Sequence, residues 1–265
     1  MLLLRKGDAM NRPIEINGDM VLSLAASVSA RFHSEEPFDF FCDVKDEEVI
    51  KRCTKASRWT LLHEYIADIC YDDIEYLIRK HFTEEAEKEI KLWLDSLKIP
   101  YDEVSCERLD SDEGISEDKI YAYHLLEFLN CHGLKIIAEA TFALLFQDKD
   151  FLYDFNLAVT KQIRELKKDN YPDYMEDDGY LKRENPPMWL KKGVFYRDKG
   201  RCQACGTDLT KIFVVADNDN YDHIIPLRQG GTNDPTNYQL MCEHCNKSKQ
   251  DRSSTYRNII WPYWE

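Results

Sequence analysis

Apolar residues recur at three- and four-residue steps through much of the first two-thirds of the chain. The clearest run begins at Trp59 and continues through Leu62, Ile66 and Ile69, which is the spacing of one face of an α-helix. The same period, with suitable helix starts at Thr83 and Ser116, predicts further helices over residues 19–32, 83–97, 116–129, 134–146 and 151–166. The pattern therefore predicts a mainly helical amino-terminal domain over residues 1–168.

The helical period stops in residues 169–187. This segment contains Tyr-Pro, Asp-Asp-Gly and Asn-Pro-Pro, which favour turns and extended backbone over helix. We interpret it as a linker, which leaves residues 188–265 as a second, smaller domain.

The second domain opens with a short predicted helix over Met188–Arg197. Leu190 and Val194 would face its core, whereas Lys191, Lys192 and Arg197 would face solvent or phosphate. Beyond this helix the pattern becomes β-like. Short apolar runs predict strands at Ile212–Ala216, Tyr221–Ile225 and Tyr238–Cys242, followed by a helix from about Glu243. The predicted fold class is therefore α+β, with the strands confined to the carboxyl-terminal domain.

Composition is that of a globular protein. Hydrophobic residues make up 43% of the chain and aromatic residues 12%, and no run approaches the roughly 18 consecutive apolar residues that a membrane span requires. The first six residues, Met-Leu-Leu-Leu-Arg-Lys, place their charges after a short apolar stretch, the reverse of a secretory signal. We expect a cytoplasmic protein without a membrane partner.

Charge is distributed unevenly along the chain. The net charge of −14 argues against nucleic-acid binding, but residues 186–265 contain 11 basic and 9 acidic residues. The acidity lies in residues 1–185, which hold 24 basic and 40 acidic residues. An acidic surface repels DNA, so we expect the amino-terminal domain to serve regulation, self-association or docking of a protein partner.

Four of the nine cysteines form two Cys-x-x-Cys knuckles, Cys202/Cys205 and Cys242/Cys245, with 36 residues between them. Two thiolates of one tight turn reach a single ion, and a second knuckle completes a tetrahedral site, for which Zn²⁺ is the expected metal. Redox motifs and iron–sulfur ligation are rival readings of the same spacing. The five remaining cysteines occur singly and are interpreted mainly as small buried hydrophobic residues.

Between and after the knuckles lie Asp222-His223, Asn237, Asn246 and Lys249. At these positions the chain closely resembles the HNH endonuclease family over about residues 197–252. The family's ββα-metal core has an Asp-His or His-His pair on the first strand, an Asn in the loop and a His or Asn on the helix. The resemblance implies a small zinc-stabilised nuclease domain after the helical one.

The chemistry of each side chain suits phosphodiester hydrolysis. His223 has an ordinary pKa near neutrality and can take a proton from an attacking water. Asp222 and the Asn246 carbonyl offer oxygen ligands for one hard cation, Mg²⁺ or Mn²⁺. By resemblance, Asn237 would hold the loop and orient His223 through backbone and imidazole hydrogen bonds. Lys249, one helical turn after Asn246, would contact a phosphate.

Three neighbouring residues have less specific readings. His244 lies inside the second knuckle, but four cysteines already complete a tetrahedral site, so we expect it to be exposed or to contact phosphate. Asn233 and Asp234 follow Gly230-Gly231 and are interpreted as turn residues.

The combined prediction is a metal-dependent endonuclease that hydrolyses DNA by a single-metal mechanism. Its architecture favours a bacterial antiviral defence effector, with a restriction-type endonuclease as the nearest alternative. A non-catalytic zinc-knuckle module that binds nucleic acid or protein is the alternative of a different class. It predicts that Asp222, His223 and Asn246 are dispensable.

Overall fold

A computed structural model describes residues 16–34, 47–104, 115–210, 221–250 and 252. Its helices are α1 Gly18–Ser34, α2 Glu47–Thr54, α3 Leu61–Arg79, α4 Thr83–Ser96, α5 Glu117–His132, α6 Leu134–Leu145, α7 Lys149–Ile163, α8 Met188–Arg197 and α9 Glu243–Lys249. Its strands are β1 Met175–Asp177, β2 Tyr180–Leu181, β3 Tyr221–His223 and β4 Tyr238–Leu240. The predicted α+β class is confirmed. The predicted strand at Ile212–Ala216 lies outside the described residues.

The chain divides into two compact units, of which the first comprises residues 1–25 and 66–141. Helices α4 and α5 contribute much of its described core. Ile90 and Leu94 are fully buried on α4, and Leu125 and Leu129 are buried on α5. These residues occupy the three- and four-residue steps seen in the sequence, so the amphipathic period reports the buried helix face.

The second unit comprises residues 26–65 and 142–265. An aromatic cluster forms part of its core, in which the ring of Phe32 lies 5.4 Å from that of Phe151 and 5.8 Å from that of Phe155. Tyr65 meets the same Phe32 ring edge-on at 5.8 Å. Edge-to-face and tilted aromatic pairs add stability beyond the apolar area that they bury.

Residues 169–187, predicted as a linker, contain an antiparallel hairpin formed by β1 and β2. Met175 and Leu181 on its strands are buried, and Gly179 takes a positive φ of 76° in its turn. The segment is thus folded, with one apolar side chain of each strand buried. The boundaries 1–168, 169–187 and 188–265 remain predictions about which parts fold independently.

The carboxyl-terminal core is a short ββα arrangement. Strands β3 and β4 pair antiparallel, with Asp222 opposite Gln239 and His223 opposite Tyr238, and α9 follows β4 after two residues. Leu190 and Val194 of α8 pack in the same apolar cluster as Tyr238 and Leu240. Each strand has three residues, so the hairpin depends on other support for its stability.

Helix α8 buries Leu190 and Val194 as predicted, but the expectation for two of its basic residues was wrong. Arg197 is buried and its Nε donates to Asp198 Oδ1 at 2.8 Å. Lys191 is buried with its ammonium 5.8 Å from the ring centre of Tyr221. A carboxylate and an aromatic face make burial of these cations tolerable. Lys192 is exposed, as expected.

No single helix in the described ranges has the length and apolarity needed to cross a membrane. Helices α5 and α6, which meet at 62°, satisfy those two criteria only when taken together.

Candidate metal-binding and catalytic site

The four knuckle cysteines converge in space. The sulfur atoms of Cys202, Cys205, Cys242 and Cys245 all lie within 4.8 Å of one another. Sγ of Cys205 lies 3.8 Å from Sγ of Cys242. A tetrahedral zinc ion with bonds of about 2.3 Å requires sulfur atoms about 3.8 Å apart. The donor set and this separation fit a structural zinc site.

Local hydrogen bonds shape each knuckle. The Cys202 amide donates to Thr207 O at 2.9 Å, and the Gln203 amide donates to Leu240 O on β4 at 2.9 Å. In the second knuckle, Sγ of Cys242 accepts from the Cys245 amide at 3.4 Å and so caps α9. One cluster therefore ties the turn after α8 to the end of β4 and to the start of α9. His244 is exposed and outside the cluster, as expected.

The buried Arg197–Asp198 pair attaches α8 to β4 on the same side. Arg197 Nη2 donates to Tyr238 O at 2.6 Å, and the Leu240 amide donates to Asp198 Oδ2 at 2.7 Å. The side chains of Arg197 and Asp198 thus form hydrogen bonds with backbone groups on the edge of β4 that does not pair with β3. Sequence reasoning missed this role, since nothing in the helical pattern identified the Arg-Asp dipeptide as buried.

His223 is 3% exposed, and its Nε2 lies 3.1 Å from Asn233 Oδ1. The orientation of the Asn233 amide is fixed, because Nδ2 donates to Thr54 O and Lys182 O, both at 2.8 Å. Oδ1 is then an acceptor, so Nε2 of the imidazole must carry the proton. This assigns the lone pair to Nδ1, which forms no other hydrogen bond among the described residues.

Burial and, to a smaller extent, the positive charges of Arg183 and Lys249 lower the pKa of His223 to about 3, whereas the hydrogen bond that the ring donates to Asn233 acts to raise it. Burial disfavours the charged imidazolium because the surrounding protein solvates it less well than water. The imidazole is therefore neutral at physiological pH and able to accept a proton, but its pKa is lower than the near-neutral value expected from the sequence, which makes it a weaker base than an ordinary histidine.

Asn237 closes the loop between the strands. Its Nδ2 donates to Ile225 O at 3.0 Å and to Thr232 O at 2.8 Å, while its Oδ1 accepts from the Ile225 amide at 2.9 Å. Gly231 has room for no side chain, because a Cβ would collide with the Ile225 carbonyl. Asn237 thus joins the two ends of the loop, and the hydrogen bond to the imidazole that was predicted for Asn237 is made by Asn233.

Asp222 and Lys249 form an ion pair beside His223. Lys249 Nζ lies 2.6 Å from Asp222 Oδ2 and 2.5 Å from His223 O, and its side chain is 2% exposed. Gln239 Nε2 donates to the same carboxylate oxygen at 3.0 Å. Both of these side-chain hydrogen bonds go to Oδ2, so Oδ1 accepts none from the described residues, and the Asp222 side chain is 12% exposed.

Lys249, predicted to contact a phosphate, is buried, and its ammonium joins α9 to β3. A substrate phosphate would have to displace one of those two bonds. Asn246 is half-buried on α9, one turn before Lys249 and directly after the zinc-cluster residue Cys245. Oxygen atoms of Asp222 and Asn246 have the chemistry that Mg²⁺ or Mn²⁺ prefers.

The loop that carries Asn233 is held by elements far away in sequence. The backbone N–H of Asn233 donates to Cys53 O at 2.7 Å. The backbone N–H of Leu61 donates to Asp234 Oδ2 at 3.2 Å. Thr236 Oγ1 donates to Asn156 Oδ1 at 3.3 Å. Asp234 also caps the following turn by accepting from the Thr236 amide, which agrees with its reading as a turn residue. The ends of α2 and α3 and the middle of α7 therefore support the loop.

Asn233 itself was interpreted only as a turn residue. Both Asn233 and Asn237 lie in the same polar loop after His223, and composition alone does not distinguish their roles. The role of Asn233 is set by its hydrogen bonds to the backbone carbonyls of Thr54 and Lys182. Backbone carbonyls have no signature in the sequence.

Comparison with known families recovers the carboxyl-terminal region. The family model described as HNH endonuclease matches residues 202–252. This range begins at the first zinc-cluster cysteine and includes both strands and α9. Neither a curated protein nor a solved structure matches the chain.

Proposed function

We propose that the protein is a metal-dependent endonuclease that hydrolyses DNA phosphodiester bonds, because residues 202–252 match the HNH endonuclease family model. The observation that carries the proposal is the state of His223. Its buried imidazole is neutral, has a fixed tautomer and keeps the Nδ1 lone pair unused. A structural histidine of the core usually has both ring nitrogens satisfied.

In the proposed reaction, Nδ1 of His223 accepts a proton from the attacking water. The Nε2–H bond to Asn233 Oδ1 holds the ring and becomes stronger when the imidazole is charged, because a charged donor makes the stronger hydrogen bond. General base catalysis of this kind contributes about 10²- to 10⁴-fold to a rate. Asn233 is then a positioning residue, and Asn237 secures the loop beneath it.

Asp222 Oδ1 and the Asn246 side-chain carbonyl would hold one Mg²⁺ or Mn²⁺. When bound, this cation supplies positive charge that stabilises the developing negative charge on the phosphate and the leaving oxygen. Lys249 keeps Asp222 and the β3 backbone in place from the opposite carboxylate oxygen. A single carboxylate and a single amide favour one metal over two.

The four-cysteine cluster would hold structural Zn²⁺. All four tetrahedral positions are filled by protein ligands, which is typical of structural sites rather than catalytic ones. Asn246 follows Cys245 directly, so zinc binding would fix the start of the helix that presents the catalytic ligand.

A defence-system effector is the biological role that we favour, with a restriction-type enzyme as the nearest alternative. The charge distribution supports separate roles for the two parts of the chain. Residues 1–185 contain 40 acidic residues, so they are poorly suited to bind DNA. We infer that they restrain the nuclease, bind a protein partner or mediate self-association. Such an effector would act on DNA in the cytoplasm.

One observation favours the non-catalytic alternative. Lys249 already neutralises one oxygen of Asp222, and a permanent internal cation could replace a catalytic one. A zinc module of this kind would bind nucleic acid or protein without hydrolysing it.

Plasmid cleavage distinguishes the two. Zinc-loaded protein is incubated with supercoiled DNA and Mg²⁺ or Mn²⁺, alongside His223→Ala and, as a control, His244→Ala. The proposal expects nicked or linear DNA from the wild type and from His244→Ala, and a rate at least about 100-fold lower from His223→Ala. Folded protein that binds DNA but leaves it intact with every metal would refute the enzyme and favour the binding module.

A further inference from the structure

One face of α8 is exposed to solvent from the first turn of the helix to the last. It is formed by Met188, Lys192, Gly193 and Tyr196, which are related by the three- and four-residue steps that bring side chains together on a helix. Tyr196 is 74% exposed and Met188 49%. These four residues are called the outer face of α8 below.

The opposite face of α8 holds the helix against the β3–β4 hairpin. Leu190 and Val194 are buried in the same apolar cluster as Tyr238, and Arg197 Nη2 donates to Tyr238 O at 2.6 Å. Tyr238 lies opposite His223 in the hairpin. A molecule that docks on the outer face is therefore held in a fixed position relative to the proposed base.

The exposed charges of α8 and of the turn after it are positive. Residues 188–200 contain four basic residues and one acidic residue. The acidic residue, Asp198, is buried in its ion pair with Arg197, whereas Lys192 and Lys199 are exposed. In a chain with a net charge of −14, this stretch therefore presents a local positive surface, which attracts a polyanion.

Gly193 occupies the interior of α8, although the fold does not require a glycine there. Apart from proline, glycine is the least favourable residue inside a helix. A Cβ at Gly193 would meet nothing within 4 Å among the described residues, whereas a Cβ at Gly231 would collide with the Ile225 carbonyl. Packing of the described residues thus does not explain Gly193. Bare backbone on an exposed helix face suits close approach by a binding partner.

Tyr196 places an aromatic ring beside this bare backbone, one turn after Gly193. Its ring meets that of Phe195 edge-on, with 6.0 Å between the ring centres, and Phe195 packs against the apolar cluster of the domain. A tyrosine hydroxyl can donate to a phosphate oxygen, as can a lysine ammonium. Because lysine is depleted at protein–protein interfaces, the combination of Lys192 and Tyr196 fits a nucleic acid better than a protein.

We propose that the outer face of α8 docks on the sugar–phosphate backbone of duplex DNA. The inference rests on the proposed nuclease function and adds a binding surface outside residues 202–252, the segment that matches the HNH family. Lys192 pairs with one phosphate, and Tyr196 donates to a neighbouring one. Gly193 lets the DNA backbone approach the helix. Such contacts position a protein on DNA without reading its sequence.

The first test measures affinity for a short DNA duplex against salt concentration. The protein is loaded with zinc, and no Mg²⁺ or Mn²⁺ is added, so that the DNA stays intact. Lys192→Ala should weaken binding and reduce the salt slope by about one, because one phosphate contact is lost. Tyr196→Ala should weaken binding about 2- to 10-fold at an unchanged slope, because a neutral hydrogen bond is lost. The controls Lys161→Ala and Tyr76→Ala, at exposed residues of α7 and α3, should match the wild type.

Gly193→Gln is the most discriminating variant, because stability and DNA binding should change in opposite directions. Glutamine favours a helix and has open space at this position, so the melting temperature should rise by about 2 °C. The added side chain should nevertheless weaken DNA binding by blocking close approach. A glycine needed only for the fold would give a lower melting temperature instead. Gly18→Gln is the control, at an exposed glycine whose Cβ also meets only open space among the described residues, and it should bind DNA like the wild type.

Plasmid cleavage by the wild type separates this proposal from the nuclease function. If the wild type cleaves but Lys192→Ala, Tyr196→Ala and Gly193→Gln all bind DNA like the wild type, the docking surface is wrong and the nuclease stands. If the wild type binds without cleaving and these variants weaken binding, the docking surface stands and hydrolysis is wrong. A wild type that neither binds nor cleaves DNA overturns both. Variants that change the oligomeric mass in light scattering but not DNA affinity would make the outer face a protein interface, which also overturns the proposal.

Discussion

The two ends of the β3–β4 hairpin are stabilised in different ways. At one end, two knuckles bring four cysteines together around a site suited to zinc, and all four lie within the segment that matches the HNH family. At the other end, the loop with Asn233 and Asp234 is held by backbone groups of Cys53, Thr54 and Leu61. The first support is local and metal-based, whereas the second consists of hydrogen bonds to distant helices.

This difference has a functional consequence. The zinc end positions α9, and with it the proposed cation ligand Asn246. The loop end positions Asn233, and with it the proposed base His223. The two halves of the proposed reaction therefore depend on different parts of the chain, and damage to either support should leave a distinct defect.

The largest effect is expected at the zinc end. Cys245→Ser removes one thiolate from a site whose metal contributes about 10 kcal/mol or more in small zinc domains. We expect zinc to be lost and α9, β3 and β4 to unfold, with no cleavage. Metal analysis of the purified protein and amide hydrogen exchange measure this. A variant that retains one zinc per chain and wild-type exchange would contradict the assignment.

Asn233→Ala tests the loop end. It leaves the carbonyls of Thr54 and Lys182 and the Nε2–H of His223 without their buried partner. Unsatisfied buried groups cost about 1–3 kcal/mol each, so we expect a loss of about 3 kcal/mol or more in unfolding free energy. Denaturant unfolding measures it, with exposed Asn130→Ala as the control.

Measuring zinc content in both Cys245→Ser and Asn233→Ala tests whether the two ends of the hairpin are stabilised independently. Asn233→Ala should retain zinc while losing cleavage, because its partners lie away from the cysteine cluster. Simultaneous loss of zinc from Asn233→Ala would show that the two supports are one cooperative unit.

The sequence predicts the cysteine end of the hairpin better than the loop end. The knuckles, the strand pair and α9 are encoded locally, because spacing alone brings Cys202 and Cys205 to one ion and places Asp222 beside His223. The contact from Asn233 to Thr54 spans 179 positions and ends on a backbone carbonyl, which any residue supplies. Burial of Arg197 was missed for a related reason, since its partners include the carbonyl of Tyr238.

A pH dependence of stability is expected from His223. Its pKa is lowered to about 3 in the folded protein by burial and by Arg183, against about 6.5 in the unfolded chain. Between pH 7 and 5 the unfolded chain therefore binds a proton that the folded protein does not. Stability from this group is full above pH 6.5 and declines as pH falls, by about 2 kcal/mol at pH 5.

Urea unfolding of the wild type and of His223→Gln at both pH values isolates this contribution. The wild type should lose about 2 kcal/mol more than the variant. Equal losses would show that His223 titrates normally, and hence that the loop end is open to water.

The smallest effect is expected for His244→Ala. His244 is exposed within the second knuckle and lies outside the cysteine cluster. Exposed substitutions of this kind change stability by about 0.5 kcal/mol or less, and zinc content should be unchanged. Comparison with Cys245→Ser, one residue away, tests whether zinc depends on the thiolates alone. A substantial loss of zinc from His244→Ala would reassign the ligand set.

The most direct test of the central claim, that the site needs both supports, compares the full chain with residues 169–265. The shorter chain retains the β1–β2 hairpin, α8 and all four zinc-cluster cysteines, but it lacks α2, α3 and α7. With both proteins loaded with zinc and supplied with Mn²⁺, cleavage of supercoiled plasmid is measured. The account predicts that the full chain cleaves and that residues 169–265 bind zinc without cleaving. Equal cleavage by the shorter chain would contradict it.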